Sequence, residues 1–166
     1  GLGGGSLRNT AEDLLFNKAL PLDSYKTSTF SLDKNSVTPL VMQTSIGQGN
    51  TLVSPAHMAM ITSAIANGGV LMKPTLIDEV INNSGESVSK TESSAYKRLM
   101  TGNEANLLGK LMKNVVDTGT ATALSGRGYS VAGKTGSAEF DENGSSHSWF
   151  IGYSNIDDPD IALAVI

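Results

Sequence analysis

The stretch from Val131 to Glu139 combines a cation, a hydroxyl and two glycines within nine residues. Lys134 supplies the cation and Thr135 the hydroxyl, and glycines flank them on both sides. Glycine weakens a strand, so inside one it usually marks a place where another molecule approaches the backbone closely. A polar turn follows, and then a second apolar run from Ser148 to Tyr153, which together predict a β-hairpin. We therefore interpret Lys134-Thr135-Gly136 as the edge of a binding site on a strand.

A second motif fits the same residues. The segment from Gly128 to Thr135 matches the phosphate-binding pattern G-x-x-x-x-G-K-[ST], which would make the chain a nucleotide-binding protein. That motif must follow a buried strand and open a helix, so that the helix N-terminus faces the anion. Residues 123–128 form no apolar strand, and residues 136–144 have no helical periodicity. The strand interpretation is therefore favoured, and a helix across residues 134–143 would overturn it.

The elements around this stretch predict an α+β fold with an antiparallel sheet flanked by helices. Ser54 and Pro55 form a strong helix start, and Thr101 with Glu104 forms a capping box. Residues 16–41 are interpreted as mostly loop, and Gly47-Gln48-Gly49 as a tight turn. We expect helices near residues 7–16, 55–67 and 103–117, a hairpin formed by 74–81 and 87–90, and strands near 129–140, 146–154 and 160–166. Two apolar stripes, at Met58–Ile65 and Leu107–Val116, belong to the second and third of these helices.

Composition narrows the possible functions. The 166 residues carry a net charge of −4 and 39% hydrophobic residues, so the chain is globular and has no basic patch for nucleic acid. There is no cysteine, which removes disulfides and thiolate metal sites. The two histidines, His57 and His147, are far apart in the sequence, so we expect neither a metal site nor a cofactor.

Six runs together resemble the transpeptidase domain of penicillin-binding proteins, and their order and spacing are similar to the C-terminal part of that domain in class B enzymes. Lys-Thr-Gly alone is weak evidence, whereas the ordered set is specific. The runs are Ser45–Gly49, Ser54–Pro55, Ala64–Gly69, Gly119–Ala121, Val131–Gly136 and His147–Tyr153.

The resemblance implies a serine D,D-transpeptidase that cross-links peptidoglycan stem peptides ending in D-Ala-D-Ala and that is acylated by β-lactams. It implies that Lys134 supports the electrostatics around the nucleophile and the substrate carboxylate, and that Thr135 hydrogen-bonds that carboxylate. It further implies that Gly136 lets the ligand lie against the strand. The backbone N–H of Ser137 would be one of two oxyanion-hole donors, and the nucleophile would supply the other.

The nucleophile itself is missing from this chain. A Ser-x-x-Lys pair places the amine beside the hydroxyl only on a helix. The spacing occurs at Ser31–Lys34, Ser87–Lys90 and Ser94–Lys97, none of which opens an apolar helix, and we attribute all three to chance. The companion motif Ser-x-Asn does not occur in the sequence at all.

We therefore expect residues 1–166 to be the C-terminal portion of a single transpeptidase domain, truncated at both ends and inactive alone. The apolar segment Ile161–Ile166 would be an exposed sheet edge. It would be covered by a companion chain that carries the missing N-terminal part, or by self-association. The resemblance places the parent protein at the extracytoplasmic face of the bacterial membrane, with an anchor outside this chain. A relative that has lost catalysis and serves as a binding module is the other alternative.

Overall fold

The computed structural model describes residues 3–23, 25–139 and 144–166, which form a mixed helical and antiparallel-sheet structure. This arrangement confirms the predicted α+β class. The helices are α1 (Gly4–Asp13), α2 (Thr38–Ser45), α3 (Pro55–Ala66) and α4 (Gly102–Thr118), with a 3₁₀ turn at Thr122–Leu124. The strands are β1 (Val70–Met72), β2 (Glu79–Ile81), β3 (Ser87–Lys90), β4 (Ala95–Arg98), β5 (Val131–Glu139), β6 (Ser146–Ser154) and β7 (Ala162–Val165).

The largest sheet contains β5, β6 and β7 in that order, and all of its pairings are antiparallel. The β5–β6 ladder runs without a break from Val131 opposite Ser154 to Glu139 opposite Ser146. All three predicted strands are therefore confirmed. The predicted hairpin is also present, as the β2–β3 pair.

Helix α3 lies against β6 and β7 and supplies much of the core. The Ser54 side chain accepts a hydrogen bond from the His57 amide, and Pro55 occupies the first turn, where no amide donor is needed. Ile61, Ala64 and Ile65 are buried, as the apolar stripe predicted. Ala132 of β5 and Tyr153 of β6 belong to the same core cluster, which fixes the sheet against the helix.

Helix α4 begins with the predicted capping box, in which the Thr101 and Glu104 side chains each bond the other residue's backbone. The Thr101 hydroxyl and, to a lesser extent, the Thr101 amide donate to the Glu104 carboxylate and hold its pKa below its ordinary value. The face that packs inward consists of Ala105, Gly109, Met112 and Val116. Leu107, Leu108 and Leu111 were predicted to share that face, but Leu107 and Leu111 are more than half exposed and Leu108 is partly exposed. Gly109 explains the difference, because it lets the helix approach Tyr153 along the row of smaller residues.

Three local predictions need correction. The first helix lies three residues earlier than predicted, because Leu15 and Asn17 have left-handed backbone conformations that end it. The interval 16–41, interpreted as mostly loop, contains the start of α2, which has a proline in its first turn. Finally, β1 and β4 pair with each other across more than twenty residues, and local sequence patterns did not predict either strand.

None of the helices in the described ranges is both long enough and apolar enough to cross a membrane. The same ranges contain no cluster of three or more His, Cys, Asp or Glu residues that could hold a metal ion.

Candidate active site

Strand β5 separates Lys134 and Thr135 onto opposite faces of the sheet. Side chains alternate along a strand, and Lys134 pairs with Ile151 whereas Thr135 pairs with Phe150. Lys134 thus shares a face with Trp149, the partner of Gly136. A Cβ atom added at Gly136 would lie 3.3 Å from the Trp149 Cβ. The absence of a side chain at Gly136 therefore leaves space beside the strand.

The outer edge of β5 presents backbone groups that are not used by β6. In an antiparallel ladder, residues alternate between those bonded to the neighbouring strand and those that point away from it. The Lys134 ammonium donates to the Thr135 carbonyl oxygen at 2.6 Å, and the Gln48 side-chain amide donates to the Ser137 carbonyl oxygen at 3.4 Å. Both carbonyls therefore face outward, and the N–H groups of the same residues share that direction.

A groove of about 1640 Å³ lies between β5 and the segment around Gly47-Gln48-Gly49. Lys134, Thr135, Gly136 and Ser137 all line it, so the structure brings the four predicted site residues together at one surface. Gly47 and Gly49 have positive φ values of 84° and 81°, which explains how three residues make the predicted tight turn. An extended ligand in this groove would meet a cation, a hydroxyl and outward-facing backbone donors.

Thr120 was not singled out from the sequence as a residue of the site. The Thr120 hydroxyl oxygen lies 2.6 Å from the Thr135 hydroxyl oxygen, so the two side chains share a hydrogen bond. Thr120 follows the C-terminus of α4, fifteen residues before its partner. The run Gly119–Ala121 pointed to the family, but only the folded chain connects it with Thr135.

The three Ser-x-x-Lys pairs are not placed for nucleophilic catalysis. Ser87 and Lys90 lie on the exposed strand β3. The Ser31 hydroxyl bonds the Asn50 carbonyl, and the Lys97 ammonium bonds the Asp13 carbonyl. None of the six residues in these pairs lines the groove.

The phosphate-binding alternative is wrong in its structural context. Residues 131–139 form strand β5, and this strand continues beyond Lys134 where a phosphate-binding loop would open a helix. Residues 140–143, the rest of the interval that would have decided between the two motifs, lie outside the described residues.

Comparison with known proteins finds relatives that match most of this chain. Penicillin-binding protein 3 of Bacillus subtilis (strain 168) is 32% identical over 146 residues, which cover 84% of this chain and 20% of that protein. The peptidoglycan D,D-transpeptidase PbpA of Mycolicibacterium smegmatis is 30% identical over 128 residues, covering 74% of this chain and 25% of that protein. The chain therefore spans a quarter or less of the length of these two relatives.

Solved structures give the same result for the fold. The imipenem acyl-enzyme complex of penicillin-binding protein A from M. tuberculosis superimposes with a TM-score of 0.83 at 26% identity, covering 96% of this chain and 36% of that one. The family model described as penicillin binding protein transpeptidase domain matches residues 2–166. This chain therefore belongs to the penicillin-binding protein transpeptidase family.

Proposed function

We propose that this chain supplies the substrate-binding strand of a serine D,D-transpeptidase that cross-links peptidoglycan stem peptides and is acylated by β-lactams. The observation that supports this most directly is the outer edge of β5. There Thr135 and Ser137 present backbone groups to the groove, between the Lys134 ammonium and the Gln48 amide. The name of the M. smegmatis relative and the acyl-enzyme complexes of the M. tuberculosis protein support the same activity.

In this proposal the stem peptide lies along β5 as an additional strand. A serine hydroxyl attacks the carbonyl carbon of the D-Ala-D-Ala amide, and its proton passes through a base to the departing D-alanine. The N–H of Ser137 donates to the oxyanion that develops on the carbonyl oxygen; removing one such donor typically costs about 3 kcal/mol of transition-state stabilisation. An amine of a neighbouring stem peptide then displaces the serine and forms the cross-link.

Lys134 and Thr135 bind the terminal carboxylate of the peptide, or the equivalent carboxylate of a β-lactam. Lys134 contributes a positive charge, and in the empty groove its ammonium is held on the Thr135 carbonyl. Gly136 has no side chain, so the ligand can approach the strand where Trp149 lies beneath it.

The serine nucleophile is contributed from outside residues 1–166, in the same parent polypeptide or in a companion chain. In the parent protein an anchor outside this chain holds the domain at the extracytoplasmic face of the bacterial membrane. The chain by itself supplies one oxyanion donor and no activated serine, so it is inactive alone.

Mass spectrometry after incubation with a labelled penicillin tests the proposal. The full-length protein should gain one covalent adduct, and Lys134→Ala should slow acylation sharply. Lys90→Ala is the matched control, because this lysine also lies on a strand but does not line the groove. Residues 1–166 alone should gain no adduct. An adduct on Ser31, Ser87 or Ser94 would contradict the proposal, and reversible binding without any adduct would favour the non-catalytic binding module.

A further inference from the structure

We propose that Thr120 is a positioning residue that directs the Thr135 hydroxyl proton towards the carboxylate of the ligand. The proposal rests on the proposed function and adds to it a residue at the end of α4. Its evidence is the 2.6 Å separation of the two hydroxyl oxygens.

A hydroxyl carries one proton and two lone pairs, so only one proton can lie between two bonded hydroxyls. If Thr120 donates, the Thr135 oxygen accepts and its own proton is free to point into the groove. If Thr135 donates to Thr120, it offers only lone pairs to an incoming ligand. A carboxylate accepts hydrogen bonds, and a charged acceptor forms stronger ones than a neutral acceptor. Ligand binding therefore selects the order Thr120 to Thr135 to carboxylate, in which each bond polarises the next.

The backbone around Thr120 is built to hold this hydroxyl in place. Helix α4 ends at Thr118, and a Cβ atom added at its C-cap, Gly119, would lie only 2.8 Å from the Val115 Cα. The amides of Gly119 and Ala121, on either side of Thr120, both donate to the Val115 carbonyl oxygen at 3.1 Å. Ala121 is buried, and this burial fixes the backbone immediately after Thr120. The branched Thr120 side chain has few rotamers, so a fixed backbone gives a fixed hydroxyl.

If Thr120 only stabilised the fold, it would form the same hydrogen bond, but its loss would affect acylation by every ligand equally. The full-length protein should therefore be acylated with two probes, penicillin G and its methyl ester, which lacks the carboxylate charge. Thr120→Val keeps the side-chain shape and removes the hydroxyl. We expect it to lower the second-order acylation constant for penicillin G by roughly fivefold, the loss typical of a hydrogen bond between two neutral groups. The constant for the ester should change by less than about twofold, since a neutral acceptor gains little from the polarised donor.

Three further variants make the test specific. Thr120→Ser retains a hydroxyl and should restore most of the rate with penicillin G. Thr118→Val is the matched control, because within the described residues the Thr118 hydroxyl bonds only Asn114, in the same helix, and its loss should leave both probes unaffected. In a Thr135→Val background, adding Thr120→Val should have no further effect, because the intermediate hydroxyl is gone.

The outcomes separate the two proposals. If the unsubstituted protein is acylated but Thr120→Val slows both probes equally, or slows neither, the role of Thr120 is wrong and the proposed function stands. Failure of Thr120→Ser to recover the rate would also overturn that role. If the unsubstituted protein is not acylated, the proposed function fails and the role of Thr120 fails with it.

Discussion

The imidazole Nε2 of His57 lies 2.7 Å from the carbonyl oxygen of Leu14 and joins helix α3 to the chain that leaves α1. The side chain is completely buried, and its ring packs on Phe16 with centroids 4.9 Å apart. Because a carbonyl can only accept, Nε2 must carry the proton. The Nδ1 atom is buried without a hydrogen-bond partner in the described part of the chain. His57 is thus a neutral core residue, as its place in an apolar helix suggests.

Stability should therefore fall as the pH drops through the titration of histidine. Burial lowers the pKa of His57 below its ordinary value, and the bond to Leu14 opposes this only in part. The unfolded chain then binds a proton more readily than the folded one, so stability is fully present above a pH of about 6.5 and declines below it. Denaturant unfolding of the full-length protein between pH 5 and 8 measures the slope. His57→Gln should remove this slope, whereas His147→Gln, on an exposed strand position, should retain it. Equal slopes in both variants would contradict the assignment.

Asn17 should tolerate glycine better than alanine. Its side chain bonds both the amide and the carbonyl of Phe30 at 2.9 Å, and its backbone has a φ of 59°. Asn17→Ala loses both bonds and keeps a Cβ atom in a left-handed conformation that those bonds no longer stabilise, which costs about 1–2 kcal/mol by itself. Asn17→Gly loses the same bonds without that strain. Equilibrium unfolding in denaturant should therefore rank the variants with glycine above alanine, and the reverse order would show that backbone strain is not the dominant cost.

Gly109→Ala should destabilise the protein although alanine is the better helix former. An added Cβ atom at Gly109 would lie 2.5 Å from the Tyr153 hydroxyl oxygen, closer than van der Waals contact allows. We expect a loss of about 1–3 kcal/mol, typical of an overpacked core. Tyr153→Phe removes the hydroxyl and should recover most of that loss in the double variant. A double-mutant cycle on the unfolding free energy measures this coupling, and a stabilising Gly109→Ala would contradict it.

Residues 1–166 on their own should self-associate through strand β7. In the described sheet β7 is an edge, and Leu163, Val165 and Ile166 are substantially exposed, with no charged residue between Ile161 and Ile166. Uncharged apolar edges pair readily with another strand. Sedimentation should show association that increases with concentration, and Val165→Lys should reduce it. A cooperative monomeric fold of the unsubstituted chain would contradict the expectation.

Elements with local signals were predictable, and contacts between distant segments were not. Ser54 with Pro55 and Thr101 with Glu104 define two helix starts within one turn of chain, and the paired strands β5 and β6 are neighbours in the sequence. The pairing of β1 with β4 depends on residues far apart in the chain, and neither strand has a distinctive pattern of its own. The exposure of Leu107 and Leu111 depends on where Gly109 meets Tyr153, which periodicity alone does not specify.

The residues of the candidate site also fall into those that the sequence predicted and those that only the fold brings together. Lys134, Thr135, Gly136 and Ser137 are adjacent in the sequence, so one motif identified all four. Gln48 and Thr120 reach the same strand from other parts of the chain. Each is polar and lies beside a glycine, which is too common a pattern to identify a site before the fold brings the residues together.

The opposite faces occupied by Lys134 and Thr135 restrict how this segment can diverge. One residue gained or lost between Val131 and Lys134 would turn both side chains to the wrong face, because a strand has a side-chain period of two. It would also exchange the outward-facing carbonyls of Thr135 and Ser137 for those bonded to β6. The loop at 125–129 is under no such constraint, since it can bulge into solvent. Insertions and deletions among related sequences should therefore collect before Val131, while the spacing from Val131 to Ser137 changes only by substitution.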